Sequence, residues 1–143
     1  MLAVVFYRIA PAHAQNLKVG ALEVVEPFVR AMPGGAQVGA GYLKIRNSGD
    51  QLDRLIAIES ASAKSVEIHE MVQDGGVVKM RRLGDGLQLP PNATTELSPS
   101  GLHLMFTEPR TPFKLGEVVK ATLVFEKAGR IEIAFTVKPM GAR

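Results

Sequence analysis

Two histidines and three methionines carry the chemical interest of this sequence. They stand as His69-Glu70-Met71, Met80 and His103-Leu104-Met105. Each histidine precedes a methionine by two positions, and on a β-strand residues i and i+2 leave the same face. His69 and Met71 therefore project together, as do His103 and Met105. Thioether sulfur is a soft, neutral donor that suits Cu(I) and binds zinc, magnesium or calcium poorly; imidazole serves several transition metals. Two methionines with one or two histidines thus favour Cu(I) over Cu(II). Taken singly, a methionine on a strand is ordinary core filler, and a histidine on a sheet is ordinarily a surface or hydrogen-bonded residue. What sets this group apart is that three elements of matching parity must agree.

The elements that would bring these residues together are a hairpin and a third strand. Between His69 and Met80 lies Val72-Gln73-Asp74-Gly75-Gly76-Val77, with an Asp-Gly turn signal. A turn centred on Asp74-Gly75 predicts Gln73 opposite Gly76, Met71 opposite Val78 and His69 opposite Met80. A slip of one residue would send Met80 to the other face. By the same parity Glu70 points away from the cluster, whereas Glu67 shares the His69 face. Glu67 is then either an acid that orients an imidazole from behind the metal or a solvated surface carboxylate. Lys79, Arg81 and Arg82 flank Met80. They could steer an acidic partner, or simply guard a sheet edge with charge. Met32 and Met140, next to proline and glycine, read as structural.

Composition narrows the alternatives. The chain has 143 residues, 46% of them apolar and 22% charged, which suits one domain with its own core. It contains six methionines and no cysteine. That excludes a disulfide scaffold, a thiol nucleophile, a structural cysteine-zinc site and a blue-copper centre, which needs a thiolate. Net charge is only +3 and the basic residues are scattered, so nucleic acid is not an expected partner. No apolar stretch has the length of a membrane-spanning helix. No Ser-His-acid arrangement or paired catalytic carboxylates stand out, so the chain does not read as an enzyme.

Short apolar-alternating or β-branched segments recur at 17–25, 39–46, 52–59, 65–72, 77–83, 87–89, 94–97, 102–106, 118–125 and 130–137. Gly, Pro, Asn or Asp residues separate them, as in Asn47-Ser48-Gly49-Asp50. No window sustains a helical period. This predicts an all-β protein, a single-domain sandwich or Greek-key barrel. At the N-terminus an apolar run ends in Ala12-His13-Ala14, which resembles the cleavage end of a secretory signal. Residues 1–14 read as a truncated signal remnant and 15–143 as the domain. There is no basic segment before the run, and Arg8 interrupts it, so residues 2–9 could instead form a first strand. The signal reading predicts an exported, periplasmic protein.

The same residues resemble the H(M)-x10-M-x21-H-x-M signature of the periplasmic PCu(A)C copper chaperones. The interval between Met80 and His103 is 22 residues, one more than that formula. Gly41-Tyr42-Leu43-Lys44-Ile45-Arg46-Asn47-Ser48-Gly49, the stretch from Asp74 to Arg81, and Gly101-Leu102-His103-Leu104-Met105 are also similar to family sequence. The likeness covers roughly residues 17–137. The resemblance implies a cupredoxin-like β-sandwich or barrel holding one Cu(I), with His69, Met80, His103 and Met105 as ligands and Met71 as an auxiliary ligand. It further implies a monomer that delivers copper to the binuclear centre of cytochrome c oxidase subunit II, alongside a Sco-type thiol protein. Two other functions fit the sequence: a periplasmic copper buffer or resistance protein with no dedicated recipient, and a metal-free β-sandwich binding module.

Overall fold

Residues 16–143 are described by a computed structural model in which every regular element is a strand. In chain order these are β1 (Leu17–Val19), β2 (Leu22–Arg30), β3 (Val38–Asn47), β4 (Asp53–Glu59), β5 (Ala63–Asp74) and β6 (Val77–Arg82). They are followed by β7 (Leu87–Leu89), β8 (Ala93–Leu97), β9 (His103–Pro109), β10 (Val118–Phe125) and β11 (Gly129–Lys138). The expected signal segment, and the alternative strand at 2–9, lie outside the described residues.

Alternation of side chains sets which face each strand buries. On β10, Val119, Ala121, Leu123 and Phe125 point inward, and on β11 so do Ile133, Phe135 and Val137. β2, β11, β10, β4, β5, β9 and β3 are neighbours in that order, and β3 pairs back onto β2, closing a seven-stranded barrel. Closure leaves these strands no open edge. β2 and β11 run parallel; the other neighbours around the barrel are antiparallel. β1, β6, β7 and β8 attach outside this ring, to β2, β5, β4 and β3. The expected all-β, cupredoxin-like barrel is the fold observed, and one contiguous apolar cluster fills it.

Two local features depart from the sequence reading. The segment 17–25 is two strands, because a turn at Gly20, with φ 55°, folds β1 back onto β2. β2 then runs on to Arg30 through Pro27, which lacks the N–H that a ladder needs. A register shift between Val25 and Phe28, with Glu26 at φ 49°, absorbs the proline as a bulge.

Two features of the barrel position the candidate site. Phe106 of β9 is fully buried and makes edge-to-face contacts with Phe113 and Phe135 at 5.4 and 5.6 Å. Gly41 of β3 lies against it: a Cβ there would fall 2.8 Å from the Phe106 ring. The second feature is a seam. β4 and β5 share a single registered pair, Ile58 with Val66, and then part company. β4 takes β7 as its neighbour, and β5 takes β6.

Candidate metal centre

The β5–β6 hairpin turns on Gly75-Gly76, not on Asp74-Gly75. Both glycines have positive φ, 59° and 83°. A two-residue turn of this handedness needs φ > 0 at both central positions, which two glycines adopt without steric cost and Asp74 would not. Asp74 therefore flanks the turn, opposite Val77. The register moves by two from the predicted one: Met71, not His69, opposes Met80, and Arg82 opposes His69. A shift of two keeps the face, so Met80 still projects with His69 and Met71.

The backbone amide of Leu83 donates to the Ile68 carbonyl at 2.8 Å. The hydrogen-bonded pairs of this ladder thus fall at even-numbered positions of β5. Met71 and Met80 form a non-hydrogen-bonded pair, the kind whose side chains approach more closely. They are also exposed, 37% and 49%, in contrast to the usual methionine.

On the other side of β5, His69 pairs directly with His103 of β9, and Glu67 with Met105. The two imidazole centroids are 5.7 Å apart at an interplanar angle of 53°. His103 is buried at 7% exposure, while Met105 is half-buried. The neighbouring β9 residues Leu104 and Phe106 point the other way, into the core. The burial of His103 is not written in its sequence neighbourhood; it follows from the position of β9 between β5 and β3.

Among the five predicted residues, then, the structure brings His69 and His103 together as one cross-strand pair and Met71 and Met80 as the next one along β5. Met105 lies one pair further in on the opposite side, across from Glu67. Among the described residues, no group of three or more His, Cys, Asp or Glu side chains could hold a metal. Any site here therefore depends on thioether sulfur.

Glu67 is more than a solvated acid. Its Oε2 lies 2.8 Å from Nε2 of His69, and its Oε1 lies 3.7 Å from Nε of Arg82. The His69 hydrogen bond, helped by Arg82 and opposed by desolvation, holds the Glu67 carboxyl below its ordinary range. Glu70 does point away, paired with Arg81 on the opposite face, and Asp74 lies 3.6 Å from Lys79. Each cation of β6 thus meets an acid of β5, which the spacing of the basic residues alone did not reveal.

The LpqE-like family, described as "Putative lipoprotein LpqE-like", matches residues 22–137. A lipoprotein of Leifsonia xyli subsp. xyli, described as "Putative lipoprotein Lxx21020", is 27% identical over 90% of this chain and 77% of its own. Among solved structures, the apo PmoF2 PCuAC domain is 30% identical, covering 90% of this chain and 98% of that one with a TM-score of 0.74. The copper-bound form of that domain is 29% identical over 87% and 98%, with a TM-score of 0.73. CuI-DR1885 of Deinococcus radiodurans is 29% identical over 87% and 81%, with a TM-score of 0.66. In fold, in extent and in sequence, this chain belongs to the LpqE-like family and is a domain of the PCuAC type.

Proposed function

We propose that the protein is an exported copper carrier that holds one Cu(I) ion between His69, His103 and the thioethers of Met71, Met80 and Met105. The observation that carries this reading is the facing His69–His103 pair, bordered on its own face by methionines. Such a donor set is soft and neutral, and it matches Cu(I). Nδ1 of His69 is buried without a hydrogen-bond partner, a condition that an incoming metal would relieve. The copper-bound PmoF2 domain and CuI-DR1885 lend support from similar folds. The direct Met71–Met80 pairing makes Met71 as strong a candidate ligand as Met80. Export is supported by the lipoprotein description of the family and by the signal-like residues 1–14, with 15–143 as the working domain.

Copper here is cargo, bound and released unchanged, so no catalytic group is required. The copper-bound similar structures support copper binding as such, for which a copper buffer with no dedicated recipient is sufficient. Delivery to cytochrome c oxidase subunit II, alone or with a Sco-type protein, is the more specific version. Anaerobic titration against a competing Cu(I) chelator should give one equivalent, and absorption at the copper edge should count both nitrogen and sulfur ligands. A variant lacking His69, Met80, His103 and Met105 that stayed folded and bound Cu(I) like the parent would sink the assignment. Oxidase copper content in a deletion strain at limiting copper separates the two versions: reduced loading favours delivery, and unchanged loading favours a buffer.

A further inference from the structure

We propose that Glu67 is a positioning residue that fixes His69 in one tautomer, so that the metal is taken by Nδ1 of His69 and by Nε2 of His103. The proposal rests on the copper reading above and deepens it. A carboxylate only accepts hydrogen bonds, so the 2.8 Å contact between Nε2 of His69 and Oε2 of Glu67 places the proton on Nε2. The lone pair of a neutral ring is then on Nδ1, the buried atom with no partner. At His103 the assignment reverses. Its Nδ1 lies 3.2 Å from the carbonyl oxygen of Gly101, which also only accepts, so the proton sits on Nδ1 and Nε2 is left for a ligand. The two imidazoles thus offer opposite ring nitrogens across one pair of strands. This asymmetry follows from their outer partners, a side chain of β5 in one case and the backbone before β9 in the other.

Glu67 is itself held. Its second oxygen faces Arg82, which sits directly opposite His69 on β6. Arg82, Glu67 and His69 form a chain that ties the hairpin's outer strand to the orientation of a ligand on its inner strand. Outer partners of metal-bound histidines fix ring orientation and raise ligand basicity, and their loss typically lowers metal affinity by about 10- to 100-fold.

Long-range proton–nitrogen NMR correlations of the ring nitrogens test this in wild-type protein. In the copper-free form His69 should be the Nε2–H tautomer and His103 the Nδ1–H tautomer. On Cu(I) loading the shifts should move at Nδ1 of His69 and Nε2 of His103. Glu67→Ala should mix the His69 tautomers and weaken Cu(I) binding about 10- to 100-fold in a protein that stays folded, with only a small drop in melting temperature from the lost contact. Glu67→Gln, whose amide oxygen still accepts from Nε2–H, should restore most of both. Copper on Nε2 of His69, or Glu67→Ala with wild-type affinity and tautomer, would overturn the positioning role and leave the copper site standing. A wild-type protein that bound no Cu(I) would overturn both.

Discussion

The two halves of β5 have different neighbours and different tasks. From Ala63 to Ile68 the strand lies in the barrel wall, paired with β9, and it buries Ala63 and Ile68 in the core. From His69 to Asp74 its partner is β6, a strand with all six residues exposed, and His69 alone keeps β9 as a second neighbour. The inner half inherits its order from aromatic packing around Phe106. The outer half rests on a two-stranded ladder and a glycine turn, an arrangement of marginal stability by itself. The candidate site straddles the join, with the histidine pair at the edge of the wall and the Met71–Met80 pair on the projecting hairpin. Such a division suits a carrier: the imidazoles give fixed geometry, and the exposed thioethers offer the face from which a metal can be approached.

Substitutions can break this comparison at several strengths. Phe106→Ala removes the ring that backs β9 and should cost about 3–5 kcal/mol, read as a lower denaturant midpoint. If the midpoint barely moved, the wall would not be the rigid half. The double change His69→Ala and His103→Ala should lower Cu(I) affinity by at least roughly a hundredfold, since loss of an outer partner alone reaches that range. A smaller drop in competition titrations would shift the weight of binding to the methionines.

Met71→Leu with Met80→Leu nearly conserves volume on an exposed face and should change stability by less than about 1.5 kcal/mol. It should nevertheless weaken Cu(I) binding and speed copper release to a chelator. Equal loss of stability and binding would mean that the hairpin is part of the core after all. The smallest effect concerns acid. The folded Glu67 carboxyl titrates below its ordinary value, chiefly through the His69 hydrogen bond. Its contribution to stability is therefore complete above the ordinary glutamate pKa and disappears as pH falls through the lowered folded value. Glu67→Gln should flatten the acid limb of the copper-free stability curve. An unchanged limb would show that this contact adds nothing to folding.

The strands were legible because alternation is a strong signal, and nine of the ten predicted segments fall on single strands. The exception, 17–25, is split by a turn at Gly20, whose positive φ the alternation of its apolar neighbours does not announce. The face of the site was legible too, since parity survives an error of two. The register was not. Asp74-Gly75 and Gly75-Gly76 are both acceptable turns locally, and the choice between them rests on the positive φ required at both positions. The partners of Arg82 and Glu67 depended on that register, and the burial of His103 depended on the whole barrel. Neither could be read from local spacing.

The seam between β4 and β5 has a consequence for how such a protein can change over time. Because the two strands share one registered pair and then diverge, the hairpin that bears Met71, Val78 and Met80 is grafted onto the barrel without being needed to close it. A sulfur can be gained, lost or moved along β6 without disturbing the core. Ligand number and exposure at the site can therefore drift under selection for metal affinity while the barrel stays fixed, and Val78, 53% exposed on the same face as Met80, is one position with that freedom.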